Sequence, residues 1–253
     1  MLNSRTGFAL LIAIITAVTA VSDSGVPDVP EGDDLLKLVD RNLHPESFEM
    51  YRKLINIEPG GRRREYTLYT VRKGRDSMLA IFLTPPSDRG RSTLRLGENM
   101  WLYIPEVGRP IRTTSLQSAV GGIFSNSDIM QLDYHVEYKV EGQDTRDDLI
   151  VLDLRARTRE VAYDRLLMHV DSENMVPVRI EAYTATDMLI KTLHFHDIRD
   201  FGEGIVRPAR METTSPLYEG YKSIMLFSNI SSREFDDEVF TLDYLPRAED
   251  LRR

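Results

Sequence analysis

Hydrophobic and polar residues alternate with a period of two along most of the chain after residue 47, which is typical of strands with one buried face. The first alternating run extends from Phe48 to Ile57, and the second, from Tyr66 to Arg72, follows the glycine pair at positions 60 and 61. The later runs are Met78–Leu83, Ser92–Leu96, Met100–Ile104, Tyr134–Val140, Leu149–Arg155, Leu166–Val170, Val176–Tyr183, Leu189–His196, Ile205–Thr213 and Ser223–Ile230. Turn residues separate these runs at the spacing expected of a β-sandwich or β-barrel.

Three segments depart from this alternation. Asp33 precedes Leu35, Leu38 and Val39, which fall on one helical face, so Asp33 is expected to cap a short amphipathic helix. At the other end, residues 240–251 predict a short turn or helix that packs two or three apolar groups.

The third departure, residues 115–132, contains Gly121 and Gly122 and then a helix-like stretch that Asn126 or Ser127 could cap. Two interpretations are equally open. The segment is either a helical lid over one face of the sheet, hinged on the two glycines, or an ordinary connecting loop.

The beginning of the chain has the order of a secretory signal peptide. Arg5 supplies positive charge, an uncharged apolar run extends from Phe8 to Val18, and small residues follow up to Ala20. A membrane anchor needs about 20 apolar residues, so a cleaved peptide is favoured over an anchor. We therefore expect a signal peptide over residues 1–20, a flexible linker over residues 21–32 and a single domain over residues 33–253.

Composition narrows the class of protein. The chain has no cysteine, which excludes disulfides, thiolate metal sites and the acylated cysteine of a bacterial lipoprotein. A secreted domain of this size without disulfides favours a bacterial periplasm, where the protein would be soluble and not lipidated. The formal net charge of -8 argues against nucleic acid as a partner.

Candidate catalytic chemistry is sparse. His194 and His196 share a strand face and could begin a metal site, but a third ligand is not evident and ordinary strand histidines are favoured. Two carboxylate clusters, at residues 147–148 and 236–238, lie beside predicted turns and are more simply solvated. Because nucleophile-elbow, phosphate-loop and dinucleotide motifs are also missing, the sequence predicts a protein that is not an enzyme and needs no cofactor or metal.

Several strands are apolar on both faces, as in Met78–Leu83 and Ile224–Phe227. Such a sheet needs cover on both faces, or it lines a cavity. Methionine is plentiful and its flexible thioether suits a site that fits varied acyl chains, although each methionine is more simply explained as core filling. The methionines concerned are Met50, Met78, Met100, Met130, Met168, Met188, Met211 and Met225.

One stretch resembles a known family. Residues 97–105 read G-E-N-M-W-L-Y-I-P, residues 109–112 read R-P-I-R, and residues 122–129 read G-I-F-S-N-S-D-I. They are similar to the G-x-N-M-W-L-Y-x-P run, the R-x-x-R pair and the G-S-D-F-S-N-x-D segment of the outer-membrane lipoprotein-sorting, LolA-like family. Here Gly122-Ile123-Phe124 departs from the usual Gly-Ser-Asp-Phe of the family. This departure affects the detailed structure expected of the lid, not the resemblance to the family. The resemblance extends over nearly all of the mature chain.

The resemblance implies an open, strongly curved antiparallel half-barrel that short helices cover to form an apolar cavity. It implies a periplasmic carrier that binds lipoproteins or other acylated or lipid molecules and moves them between the inner and outer membranes. An inner-membrane transporter and an outer-membrane acceptor are the protein partners that such a role would have. The alternative is a periplasmic ligand-sensing or accessory protein of the same fold that partners an inner-membrane transporter.

The resemblance also implies positions for ligand contacts. The cavity wall would carry Leu94, Leu96, Trp101, Tyr103, Ile111, Met225 and Phe227. The lid would carry Ile123, Phe124, Ile129 and Met130. At the cavity mouth, Arg109 and Arg112 could pair with a ligand head group or the lid, or be surface arginines, and Trp101 is as readily a core residue.

Overall fold

The computed structural model describes residues 30–131 and 133–252. The predicted signal peptide and residues 21–29 of the predicted linker lie outside the described residues. The helices are α1 (Gly32–Leu43), α2 (Asn126–Ile129) and α3 (Tyr134–Glu137), with 3₁₀ helices at Pro86–Asp88, Asp237–Phe240 and Leu242–Arg252. The strands are β1 (Phe48–Ile57), β2 (Arg63–Lys73), β3 (Ser77–Thr84), β4 (Ser92–Leu96), β5 (Asn99–Tyr103), β6 (Pro110–Thr113), β7 (Tyr138–Arg146), β8 (Leu149–Ala156), β9 (Arg165–Asp171), β10 (Val176–Tyr183), β11 (Leu189–Asp200), β12 (Val206–Thr214) and β13 (Lys222–Ser232).

The strands form one curved, open antiparallel sheet in the order β6-β5-β4-β3-β2-β1-β13-β12-β11-β10-β9-β8-β7. Strands that are neighbours in the sheet are also consecutive in sequence, apart from β1 and β13, which pair in its middle with Phe48 opposite Ser232. The two edge strands, β6 and β7, do not pair with each other, so the barrel stays open. The expected half-barrel architecture is confirmed.

The connection between β6 and β7 joins the two edges of the sheet. These two strands follow each other along the chain but lie at opposite edges of the sheet. The chain must therefore run from one edge to the other between these strands. Its described residues 114–131 and 133–137, here called the crossing segment, carry α2 and α3. Apolar side chains of this segment, such as Phe124 and Met130, are buried against the sheet.

The sheet is apolar on both faces, as the runs in β3 predict. Met78, Ala80 and Phe82 belong to a first hydrophobic cluster, while Leu79 and Ile81 belong to a second. This division follows from the period-two alternation of side chains along a strand. We call the two sides of the sheet the first face and the second face.

Different elements cover the two faces. On the first face, α1 contributes Leu35, Leu36 and Val39, all fully buried, and the crossing segment completes the cover. On the second face, the C-terminal 3₁₀ helices bury Phe240 and Leu245, as the apolar groups of residues 240–251 predict.

Local predictions needed correction at four places. Ser125 caps α2, so the prediction that Asn126 or Ser127 caps this helix is wrong. Residues 134–137 were predicted as strand but form α3, because the Asp40 carboxylate accepts the backbone N–H of Tyr134 (2.7 Å) and of His135 (2.9 Å). The prediction that Asp33 caps α1 is wrong, since its carboxylate instead accepts the backbone N–H of Val140 at 3.1 Å. Strand β6 was not predicted at all, as Ile111 is its one large apolar residue and is exposed.

Candidate functional site

A cavity of about 60 Å³ lies between the first face, the C-terminal end of α1 and the crossing segment. Its apolar wall comes from five strands, β1, β3, β11, β12 and β13. The principal apolar side chains are Phe48, Met50, Leu193, Phe195, Met211 and Phe227. Phe48 and Met50 are two residues apart, as are Leu193 and Phe195, so strand alternation brings each pair to one face.

The same alternation brings charged groups to the cavity. Arg52 follows Phe48 and Met50 at the next inward position of β1, and Arg207 on β12 also lines the cavity. The side chains of Asp128 and Tyr134 reach it from the crossing segment, and His44 reaches it from the residue after α1. The cavity is therefore apolar along the strands and polar where it meets the cover.

A buried lysine holds the crossing segment to the sheet. The Nζ of Lys191 donates to the carbonyl oxygen of Ile123 (2.9 Å) and to Oδ2 of Asp128 (2.6 Å). Asp128 also accepts from the backbone N–H of Ser125 (2.8 Å) and from the hydroxyl of Tyr163 (3.0 Å). Burial alone would lower the pKa of Lys191, but Asp128 and Tyr163 outweigh it and raise that pKa to about 12.

A second attachment lies beside the glycine pair. Asn56 donates from Nδ2 to the carbonyl oxygen of Val120 (3.3 Å) and accepts from the Ser223 hydroxyl (2.7 Å). Ser223 in turn accepts the backbone N–H of Ile123 at 3.1 Å. A side chain on Gly122 would lie 2.1 Å from Oδ1 of Asn56, so this close approach requires glycine.

Two inward arginines bind backbone carbonyls of the crossing segment. Arg52 donates from Nη1 to the carbonyl oxygen of Ile129 at 2.5 Å. Arg95 donates from Nη1 to that of Met130 at 2.8 Å and pairs with the Glu137 carboxylate. The cover over the cavity is thus fixed by polar contacts from strands β1, β4, β11 and β13.

The polar end of the cavity is cationic. Burial, with the nearby charges of Arg72 and Arg207, holds the pKa of His44 well below 6.5, so this imidazole is neutral at pH 7. Burial lowers the pKa of Arg52 to about 9, with a further contribution from Arg207. Burial also lowers the pKa of Arg207 to about 10. Both guanidinium groups remain charged near neutral pH.

The predicted lid residues lie together in the crossing segment, and all four are buried. Phe124, Ile129 and Met130 pack in the first cluster. Ile123 lies at a neighbouring groove with Leu217. Their role in ligand entry stays a prediction.

The residues predicted for the cavity wall divide between the two faces. Phe227 lines the cavity, and Met225 is fully buried in the first cluster beside it. By contrast, the structure brings four predicted residues together on the second face, against the C-terminal 3₁₀ helices: Leu94, Leu96, Trp101 and Tyr103.

The prediction that these four residues line the cavity wall is therefore corrected: they lie on the second face. Arg95 of β4 points to the first face, where its Nη1 donates to the carbonyl oxygen of Met130. Since neighbours on a strand face opposite ways, Leu94 and Leu96 must point to the second face. Trp101 lies opposite Leu94 in the β4–β5 pairing and follows it to that face.

The remaining predicted positions lie at the surface. Ile111 is 43% exposed on the edge strand β6, and Arg109 is exposed just before this strand. Arg112 is exposed and donates to the side-chain oxygen of Asn99. The structure does not bring these three residues to the cavity.

Sequence reasoning missed the buried basic residues that organise the site: Arg52, Arg72, Arg95, Lys191 and Arg207. A signal for them exists. In each case the residue two positions before or after it on the strand is apolar or small and points to the inward face. The basic residue therefore shares that face, where a charged side chain is unusual.

The paired histidines of β11 lie side by side on one face of the strand. The rings of His194 and His196 stack with their centroids 6.3 Å apart. In residues 30–131 and 133–252, the His, Asp and Glu side chains nowhere form a group of three placed to hold a metal ion. Over the same residues, the helices are too short or too polar to cross a membrane.

Comparisons with known proteins agree with this geometry. A family model described as "Uncharacterized protein" matches residues 74–247. A LolA superfamily protein from Nitrosomonas europaea is 26% identical with a TM-score of 0.75, covering 83% of this chain and 97% of that protein.

Two further solved structures share the fold. A putative outer membrane lipoprotein-sorting protein domain from Vibrio parahaemolyticus is 18% identical, with a TM-score of 0.73, covering 85% of this chain and 98% of that domain. A DUF1329 family protein from Desulfovibrio piger is 22% identical, with a TM-score of 0.72, covering 84% of this chain and 97% of that protein. None of the curated proteins matches the chain.

Proposed function

This chain belongs to the outer-membrane lipoprotein-sorting, LolA-like family, and we propose that it is a periplasmic carrier that binds lipoproteins or other acylated or lipid molecules. In this role it binds acyl chains in the cavity of the first face and carries them between the inner and outer membranes. A transporter in the inner membrane would supply the cargo, and an acceptor at the outer membrane would receive it.

One observation carries the proposal: an apolar cavity lies under a segment that crosses the open side of the half-barrel. Phe195, Met211 and Phe227 offer the ligand aromatic and thioether surfaces, which adapt to flexible chains. Each buried methylene of a ligand contributes about 0.8 kcal/mol, so a long chain can offset its extraction from a membrane without any catalytic group.

The cavity as described is too small for a long acyl chain. Its volume of about 60 Å³ corresponds to a few water molecules. The crossing segment must therefore move away from the sheet when a chain enters. Its attachments are backbone and side-chain hydrogen bonds at Lys191, Asn56 and Arg52, which can break without unfolding the strands.

The test is uptake of a fluorescent fatty-acyl probe by delipidated protein. We expect the wild type to bind the probe and Met211→Trp, which fills the cavity, to lose most of this binding. Met188→Trp is the matched control, because Met188 is 51% exposed and away from the cavity. Thermal unfolding of both variants confirms that they are folded.

A second measurement distinguishes a carrier from a protein that only binds. Loaded protein is mixed with acceptor vesicles, and the transfer of labelled lipid is followed with time. Uptake without transfer would contradict the carrier role, and lack of uptake by the wild type would contradict lipid binding itself.

A further inference from the structure

Two buried guanidinium groups lie near one aromatic ring of the cavity wall. The Cζ of Arg207 lies 4.4 Å from the ring centroid of Phe227, and the Cζ of Arg52 lies 6.0 Å from the same centroid. Both residues line the cavity, and each is only 5% exposed. Two like charges are thus held close together out of water.

These two arginines differ from the other buried basic residues. Arg72 pairs with Asp133 at 2.7 Å, Arg95 pairs with Glu137, and Lys191 pairs with Asp128. Arg52 and Arg207, in contrast, have no carboxylate within 4.0 Å among residues 30–131 and 133–252. Their charges are not compensated within the part of the protein that is described.

The existing contacts of the pair are with neutral acceptors. Arg52 donates to the carbonyl oxygen of Ile129 and to the sulfur of Met50 (3.2 Å). Arg207 donates to the carbonyl oxygens of Leu43 (2.5 Å) and Pro208 (3.4 Å). These bonds satisfy some N–H groups, but neutral acceptors leave the two positive charges in place.

The other titratable groups of the cavity do not supply the missing charge. His44 is neutral at pH 7 and the Tyr134 hydroxyl is un-ionised, because burial raises its pKa far above 10. The Asp128 carboxylate lines the cavity too, but Lys191 already neutralises it at 2.6 Å. Burial of an uncompensated charge is strongly unfavourable, and here a bound anion would relieve it for both arginines at once.

We propose that the ligand of this cavity is an acyl chain that ends in an anion, a carboxylate or a phosphate, which Arg52 and Arg207 bind while the chain lies along Phe48, Phe195 and Met211. This inference rests on the proposed acyl-binding function and narrows its ligand class. It separates fatty acids and lipid phosphates from chains that end in a neutral ester or amide.

The experiment compares three ligands that share one chain: laurate, dodecyl phosphate and dodecanol. Each competes with a neutral fluorescent acyl probe on delipidated full-length protein at pH 7.5, and inorganic phosphate serves as the head group without a chain. We expect laurate or dodecyl phosphate to bind roughly tenfold or more tightly than dodecanol, since charge-assisted hydrogen bonds form only with the anions. The ratio between the two anions identifies the carboxylate or the phosphate as the preferred head group.

Variants locate the effect. Arg207→Met should reduce anion affinity to that of dodecanol, and Arg207→Lys should restore part of the difference. Arg199→Met is the matched control, because Arg199 lies opposite Arg207 in the β11–β12 pairing but is exposed. Arg52→Met tests the second group, and thermal unfolding shows whether each variant is folded.

The outcomes separate this inference from the proposed function. If dodecanol binds as tightly as both anions and Arg207→Met changes nothing, the anion site is wrong while acyl binding stands. If inorganic phosphate alone competes as well as dodecyl phosphate, the site binds free anions and the acyl-anion class is wrong. If the wild type binds none of the chains, the proposed function fails and this inference fails with it.

Discussion

Replacement of Lys191 by methionine removes the cation that holds the crossing segment to the sheet. The side chain of Lys191 is 5% exposed and that of Asp128 is 3% exposed, so the pair is removed from solvent. The variant breaks the ion pair and also the hydrogen bond to the carbonyl oxygen of Ile123. Methionine retains most of the length and apolar stem of lysine, so the change is mainly electrostatic.

The expected loss follows from this burial. Removing one partner of a buried pair costs about 3–5 kcal/mol, because the other charge stays buried without compensation. Asp128 keeps hydrogen bonds from Ser125 and Tyr163, so we expect the lower part of that range. In the double variant Asp128→Asn, Lys191→Met, no charge remains uncompensated, and the loss should be clearly smaller than the sum of the single losses.

Urea unfolding gives the global loss, and amide hydrogen exchange gives its location. We expect faster exchange in residues 119–131, while strands β1 and β2 change much less. Lys53→Met is the control, because the pair of Lys53 with Glu65 is exposed at 47% and 42% and contributes little. If Lys191→Met and Lys53→Met have equal effects, or if exchange in residues 119–131 is unchanged, the account of this attachment is refuted.

Three further predictions concern pH, packing and the division between the two faces. The unfolded chain protonates His44 near pH 6.5, whereas the folded protein does not, so the free energy of unfolding should fall as pH drops below 6.5. His44→Gln should weaken this dependence of stability on pH, measured by urea unfolding at several pH values. Gly122→Ala should destabilise the protein by about 1–3 kcal/mol through contact with Asn56, whereas Gly142→Ala, whose added carbon meets a neighbour at an ordinary 3.6 Å, should have little effect. Phe240→Ala should lower the free energy of unfolding by about 3 kcal/mol. It should leave acyl-probe affinity unchanged, because this side chain packs on the second face. A large loss of affinity would contradict the assignment of ligand binding to the first face.

The strands were readily predicted from the sequence because their signal is local. Strands β1, β4 and β10 have the bounds predicted from alternation, and the apolar residues of β3 correctly indicate cover on both faces. The pairing of β1 with β13 was not predictable from local pattern, since it joins segments more than 160 residues apart. The half-barrel itself came from the family resemblance.

The site was harder to predict because it depends on which face each strand turns inward. The run around Trp101 carries the family resemblance, and its apolar residues were therefore placed on the cavity wall. In the structure Arg95 and Met100 of this region point to the first face. Four apolar residues pack instead on the second face: Leu94, Leu96, Trp101 and Tyr103. A shift of one residue in the assumed alternation moves every side chain of a strand to the other face. Where the sheet is covered on both sides, both faces are apolar, so the sequence does not show which residues point inward.

The inward arginines show a second limit. Taken singly, Arg52 or Arg207 in a strand reads as an exposed position. Their significance comes from the assembled sheet, which removes both from solvent and places them at one ring, that of Phe227. Arg52, Arg207 and Phe227 lie on β1, β12 and β13, which are neighbours in the sheet. The sequence alone does not show which strands are neighbours, so this arrangement was not predicted.

Photo-crosslinking can show whether an acyl chain binds on the first face of the sheet. A fatty acid with a photoreactive group near its methyl end is bound to delipidated protein, irradiated and mapped by mass spectrometry of peptides. We expect adducts on cavity residues such as Phe48, Phe195 and Phe227. Adducts on Leu94 or Phe240 of the second face, with the cavity residues unmodified, would contradict it.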